Sequence, residues 1–298
     1  MNKKKINAIL KLVVKLSLTS GALIFVFRKI DVDEFKDSIL DTSIPLFFLA
    51  FLAFNLSKIV AAVRFKQFLR PLEIYLEDKY NLMLSYVGMF YNLFLPGSIG
   101  GDGYKVFVLK QQYKEAKTRH LVSVSILDRV SGLAFLFILG CLLLLSSTFQ
   151  VDIPWIQWVI LTLAILVLPV YYLFIKVLFP VFKSAFIPTS HLSFWVQIGQ
   201  LTSAFCLLLA LNIQDPFVDY LTLFMISSVV AVLPFTIGGV GARELVFLYG
   251  YQYLQIQEGK AIAFTILFFM VTALSSLVGL PFVFTIDREK KEQQPEEV

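Results

Sequence analysis

Two stretches of this chain repeat one another. The first reads Leu95-Pro96-Gly97-Ser98-Ile99-Gly100-Gly101-Asp102-Gly103-Tyr104-Lys105. The second, 138 residues later, reads Leu233-Pro234-Phe235-Thr236-Ile237-Gly238-Gly239-Val240-Gly241-Ala242-Arg243. Six of eleven columns are identical, a seventh pairs Ser with Thr, and the last pairs Lys with Arg. Pro stops an incoming helix by removing a backbone donor. The glycines allow positive φ and close backbone approach. A helix starting near Gly103 or Gly241 then presents unpaired N–H groups and a positive dipole end, which suits an anion. Lys105 and Arg243 sit in that first turn, where a cation opposes the dipole. Each therefore needs a negative partner, either a ligand or a carboxylate such as Asp102 or Glu244. The chemistry indicated is anion recognition.

A second charged pair, Asp128-Arg129, lies inside the apolar run Leu121–Ser147. It falls roughly 12–14 Å along that helix. Either residue at a membrane-helix centre costs about 2.5–3.5 kcal/mol, so such groups face a bundle interior or a wet cavity. Neighbouring helix positions do not face each other. Each member thus needs a partner elsewhere, with Asp102, Arg243 and Glu244 as candidates, unless Arg129 snorkels back to the headgroups.

The elements that hold these groups are membrane helices. Of 298 residues, 58% are apolar and only 16% are charged, and the mean hydropathy is +0.78. A soluble chain of this size has too little interior for that load. This excludes a soluble enzyme, a nucleic-acid-binding domain and a disordered chain. The pI near 9.0 reads as positive charge on the cytoplasmic side of a bilayer. Cys141 and Cys206 lie in apolar runs and read as small hydrophobes. With two histidines, His120 and His191, and no ligand-spaced cluster, no metal or other cofactor is implied.

A crossing needs about 20 apolar residues. Ile6–Phe27, Ile44–Val63, Leu121–Ser147, Trp155–Phe179, Phe194–Asn212 and Ala261–Ile286 meet this, the first as a retained span rather than a cleaved leader. Asn81–Leu95, Val218–Pro234 and Ala242–Leu254 are too short. With the N-terminus inside, 20 Lys and Arg fall on the cytoplasmic side and four outside, while Arg129 and Arg243 lie in the membrane. That asymmetry puts both termini in the cytoplasm. The short segments must then enter and leave on one side each, as two re-entrant hairpins of opposite polarity. The expected architecture is an all-α polytopic membrane protein with about six full spans and two broken hairpins. It forms one integral domain over residues 1–287, with half-repeats centred on 81–105 and 218–243, and a disordered cytoplasmic tail at 288–298. A motif repeated at interrupted segments of two halves points to a transporter site at a pseudo-two-fold axis.

Three stripes are polar or small at helical spacing: Asn81, Ser85, Gly88 and Asn92; Gln197, Gln200 and Ser203; and Thr272, Ser275, Ser276 and Gly279. Such stripes are mostly packing surfaces in membranes, with a polar path as the other reading. Arg64, Lys66 and Arg70, and the series Lys105, Lys110, Lys114, Lys117 and Arg119, read as topogenic clusters near headgroups.

Asn92–Lys110, Asp128-Arg129 and Pro234–Glu244 resemble the flippase-like membrane region of lysylphosphatidylglycerol synthases, over roughly residues 8–287. The resemblance implies a multi-pass inner-membrane protein that moves a lipid between leaflets: an anionic or aminoacylated phospholipid, or a polyprenyl-phosphate carrier. Asn92, Pro96, Gly100, Gly101, Asp102, Lys105, Arg129, Pro234, Gly238, Gly239, Gly241, Arg243 and Glu244 stand at the family's recurrent positions. The substrate-binding candidates are Asn92, Lys105, Arg129 and Arg243. Asp102, Asp128 and Glu244 are ion-pair or proton-coupling candidates. The hairpin-turn candidates are Pro96, Gly97, Gly100, Gly101, Gly103, Pro234, Gly238, Gly239 and Gly241. The soluble aminoacyl-transfer domain of the bifunctional synthases has no counterpart in these residues, so a non-catalytic translocator is expected. No nucleotide-binding G-x-x-x-x-G-K-[ST] occurs.

Membrane lipids are the expected partners, alongside a second copy of the chain or an envelope-biosynthesis protein, and not nucleic acid. One rival is a membrane-embedded glycosyltransferase with a polyprenyl-phosphate donor, resting on Asp31-x-Asp33-Glu34 with Asp37 and Asp41. Another is a scaffold or regulator of envelope lipid assembly.

Overall fold

The computed structural model describes residues 39–94, 100–148, 155–214, 216–232, 241–250, 253–254 and 256–293. The predicted span Ile6–Phe27, the acidic residues Asp31 to Asp37, and the turn residues Pro96, Gly97, Pro234, Gly238 and Gly239 lie outside them.

Ten α-helices follow in order: α1 (Ile44–Leu69), α2 (Asp78–Phe94), α3 (Gly100–Gln112), α4 (Thr118–Ser146), α5 (Ile156–Leu178), α6 (Phe186–Ala210), α7 (Phe217–Val232), α8 (Ala242–Gly250), α9 (Glu258–Leu277) and α10 (Leu280–Gln293). The described residues hold no strand. Among the described residues five stretches are long and apolar enough to cross a membrane: Ile44–Leu72, Thr118–Ser146, Ile156–Leu178, Pro180–Ala210 and Gly259–Ile286. Their outward faces are apolar, as hydrocarbon requires. On α5 the side chains of Trp158, Ile165, Val170 and Val177 are each more than 60% exposed in the isolated protein.

Local sequence sets the boundaries. Pro45 stands in the first turn of α1, where its missing N–H costs nothing. The helix does not stop at Val63 as expected. It continues through Phe65, Phe68 and Leu69, all buried, and ends where Pro71 closes a short 3-10 turn with Glu73 left-handed at φ 58°. At about 39 Å, α1 exceeds a hydrocarbon core of about 30 Å. The last predicted span, Ala261–Ile286, falls within the crossing Gly259–Ile286 and carries a turn where α9 ends at Leu277 and α10 starts at Leu280. Pro281 lies in that first turn, and a Cβ on Gly279 would overlap the Tyr86 carbonyl of α2. Helix α10 runs to Gln293, into the stretch expected to be disordered.

The repeat extends well beyond the two motifs. Shifting α2 by 138 residues gives 216–232, within one residue of α7. Shifting α4 gives 256–284, covering all of α9 and the start of α10. The packing repeats as well. Helix α2 packs on α3 and α9, as α7 packs on α8 and α4. Helix α4 meets α6, as α9 meets α1. Helices α1 and α6, which precede the two hairpins, form the most extensive helix pair. Close approach there depends on Gly199, whose added Cβ would come within 2.8 Å of Ser57. Ser203 adds a hydrogen bond to the Ala50 carbonyl at 2.8 Å.

Each motif helix is fastened to its hairpin partner. In the first, the Gly101 N–H donates to Asn92 Oδ1 at 2.8 Å. A Cβ on Gly101 would overlap the Gly88 carbonyl. Gly101→Ala is therefore expected to lower stability by about 1–3 kcal/mol through overpacking, although Ala is otherwise the better helix former. Gly103 also lies within α3, but an added Cβ there meets nothing within 4 Å. Gly103→Ala is expected to stabilise by up to about 1 kcal/mol. Thermal unfolding of the two purified variants should give shifts of opposite sign; equal shifts would contradict the packing of α2 on α3.

Candidate functional site

A cavity of about 340 Å3 opens among α1, α4, α6, α7, α8 and α9. Four cations line it: Lys58 and Arg64 from α1, Arg129 from α4 and Arg243 from α8. Among the described residues Asp128 is the one carboxylate in the lining, with Gln197, Gln200, Ser228 and Thr272 as neutral polar groups.

Asp128 and Arg129 diverge, as adjacent helix positions must. Arg64 Nε donates to Asp128 Oδ1 at 2.8 Å, and Arg64 also donates to Ser193 Oγ at 3.0 Å. The Arg64 side chain is 7% exposed. Arg129 forms an ion pair with Asp102 of α3. This was one of the expected pairings, and it excludes simple snorkelling to the headgroups. It also ties the first hairpin to a wall of the cavity.

The second hairpin reaches the same cavity through Arg243. Its guanidinium lies 4.7 Å from the Phe268 ring centroid and 5.1 Å from that of Phe224, within cation–π range. It reaches Ser228 Oγ at 3.2 Å and Ser227 Oγ at 3.4 Å. Among the described residues no carboxylate is within ion-pair distance of Arg243. Glu244 turns away from it. Its carboxylate accepts the Gly241 N–H at 2.6 Å, capping α8 where Gly241 adopts φ 85°. The backbone there requires glycine.

Lys105 differs from expectation too. Asp102 pairs with Arg129 rather than with Lys105, and Lys105 Nζ sits over the Phe65 ring at 4.5 Å. It is not among the residues that line the cavity. Helix α3 begins at Gly100, three residues before the expected start, so Gly100, Gly101 and Gly103 occupy its first turn. Asn92 supports that turn by accepting the Gly101 N–H.

Sequence reasoning missed Arg64, which was read as topogenic, and Lys58, which entered only the count of cytoplasmic charges. The missed signal was the apolar periodicity of Phe65, Phe68 and Leu69, which carries the helix onward. Lys58 is the fifteenth of the 26 residues of α1. Its Nζ lies 4.4 Å from the Phe54 ring centroid, again with no carboxylate in ion-pair reach among the described residues.

The polar stripes divide between the two readings. Gln197, Gln200 and Thr272 line the cavity. Ser275 instead joins a packing network in which Asn55 Nδ2 donates to Ser275 Oγ at 2.9 Å and Tyr86 donates to Asn55 Oδ1 at 2.9 Å.

Beside this cavity lies an apolar groove of about 640 Å3 between α4 and α5, reaching Val229 of α7. Leu133 belongs to both linings. The groove residues Leu166 and Val170 are among the exposed apolar side chains, so the groove opens on the surface that faces hydrocarbon.

The family profile described as the lysylphosphatidylglycerol synthase TM region matches residues 12–186 and 178–279. The chain belongs to this family. Among individual members of wider length, a phosphatidylglycerol lysyltransferase of Staphylococcus aureus (strain MSSA476) is 23% identical over 301 residues, covering 97% of this chain and 36% of that protein. The same holds for the strain N315 protein. The Staphylococcus haemolyticus (strain JCSC1435) enzyme is 24% identical over 196 residues, covering 63% of this chain and 23% of that protein. The chain thus spans about a third of the length of the S. aureus relatives. With its five apolar helices, this family member is an integral membrane protein.

Proposed function

We propose that this protein moves a phosphate-bearing lipid between the leaflets of a bacterial plasma membrane, without chemical change to it. The observation that carries this reading is the juxtaposition of a cation-lined cavity and an apolar groove that share Leu133. A ligand suited to both is amphipathic. Its headgroup is held by Arg243, Arg129 and Lys58, and one acyl chain lies along Leu163, Leu166 and Val170. Relatives named for acting on phosphatidylglycerol support a phospholipid-type cargo. Charge asymmetry supports cytoplasmic termini. The repeat supports two hairpins of opposite polarity, one gating each face.

The test is lipid mass spectrometry on gently purified wild type, Arg129→Ala and Arg243→Ala proteins, each compared with bulk membrane. A phosphate-bearing lipid enriched on wild type and lost from both variants is expected. The same lipid profile on all three, equal to that of the membrane, would sink the reading.

A further inference from the structure

The charges around the cavity do not balance, and the imbalance specifies a ligand. Its lining carries four cations and one carboxylate. Two of the cations are matched within the protein, Arg64 by Asp128 and Arg129 by Asp102. Lys58 and Arg243 are not, among the described residues. Widening the count to the second layer leaves the result unchanged. Lys105 adds one cation, placed over the Phe65 ring of α1. Glu244 adds one anion beside Arg243, committed to the Gly241 N–H. Among the described residues five cations then face three carboxylates, again an excess of two.

Charges withdrawn from water need a counter-charge, because desolvation of each ion costs several kcal/mol. Aromatic faces and hydroxyls hold Lys58 and Arg243 at the cavity wall, but cation–π contacts contribute only about 0.5–2 kcal/mol. A bound anion is what the arrangement lacks. Guanidinium offers a planar fork that fits phosphate oxygens, and the Lys58 ammonium adds a point charge.

Building on the lipid reading above, we propose that the cavity selects a headgroup carrying two negative charges, a terminal phosphomonoester or a diphosphate. A monoanionic phosphodiester is a weaker ligand, since it leaves one cation unmatched. An aminoacylated phospholipid, whose ammonium adds positive charge, is rejected outright. The specificity of this cavity therefore differs from what the lysyltransferase names of its relatives suggest. Like charge placed against like is an effective means of discrimination.

Binding to the purified full chain in detergent tests this, using thermal stabilisation as the readout. The probes are dioleoyl phosphatidic acid, dioleoyl phosphatidylglycerol and lysyl-phosphatidylglycerol, with glycerol 3-phosphate and pyrophosphate as soluble dianions or polyanions. At pH 7.5 phosphatidic acid is expected to bind at least about tenfold more tightly than phosphatidylglycerol, a difference of about 1.4 kcal/mol. Lysyl-phosphatidylglycerol is expected to bind more weakly than either. Lys58→Gln and Arg243→Gln should each reduce the preference for phosphatidic acid, whereas Lys176→Gln, on the exposed end of α5, should leave it intact. Two site variants are used so that poor folding of one does not remove the test. Equal affinity for phosphatidic acid and phosphatidylglycerol, or tight binding of the lysylated lipid, overturns the charge count while leaving lipid binding standing. Binding of pyrophosphate with no lipid bound supports the two-charge site but overturns its lipid source. No binding of any dianion overturns both.

Discussion

Arg243→Ala is expected to reach the membrane at wild-type levels and to move lipid about 10–100-fold more slowly. The stability half follows from what Arg243 touches. Ser227 and Ser228 each also donate to the Phe224 carbonyl, at 2.9 and 2.8 Å. Removing the guanidinium therefore strands no buried hydroxyl donor, and Glu244 keeps the bond it accepts from the Gly241 N–H at the start of α8. The functional half follows from the headgroup. A hydrogen bond to a charged group contributes about 1.5–3 kcal/mol, which converts to that range of rate if it acts on the rate-limiting state. Arg243→Lys keeps the charge but loses the fork and should fall between the two. Reconstituted vesicles with a fluorescent phospholipid, scored by dithionite quenching, provide the measurement. Full-rate movement by a well-folded Arg243→Ala protein would refute the role given to this residue.

The second large effect concerns the Arg64–Asp128 pair. Arg64→Ala leaves Asp128, whose side chain is only 19% exposed, without its cation. Breaking one partner of a buried pair typically costs about 3–5 kcal/mol. The lower end is expected here, since Asp128 keeps some contact with the cavity. The double variant Arg64→Leu/Asp128→Leu removes both charges and should recover much of that loss, because an apolar replacement of a whole pair is often close to neutral. Thermal unfolding of wild type, Arg64→Leu, Asp128→Leu and the double variant, the four proteins of the cycle, would show it. Additive losses would mean that the two residues do not act as a pair, since sites without coupling add.

These two predictions concern residues that were unequally visible in the sequence. Arg243 was legible because it belongs to a repeated motif, and a Pro/Gly break followed by a cation has a readable chemical sense. Arg64 was not. It sits near a run of basic residues that satisfies the usual charge asymmetry of a membrane protein. Only the continuation of α1 to Leu69 brings it inside the bundle. Lys58 was hidden differently: it lies within the predicted span Ile44–Val63 but was counted only among the cytoplasmic charges.

The chain itself determined its solvent, its helices and its duplication. Apolar content forces a bilayer, and hydrocarbon admits helices because every backbone group must be satisfied locally. The 138-residue offset, read from eleven columns, holds for whole helices and for their contacts. What only the tertiary structure decided is which charges meet. Asp128 and Arg129 are neighbours in sequence, yet one faces α1 and the other α3. Asp102 and Glu244 stand close to their motif cations in sequence, yet one pairs across to α4 and the other caps its own helix. Helix periodicity fixes the direction a side chain takes from its own axis. The partner it meets depends on how neighbouring helices pack, and that is set by contacts such as Gly101 on Gly88 and Gly199 on Ser57, far apart along the chain or hidden within an ordinary helical pattern.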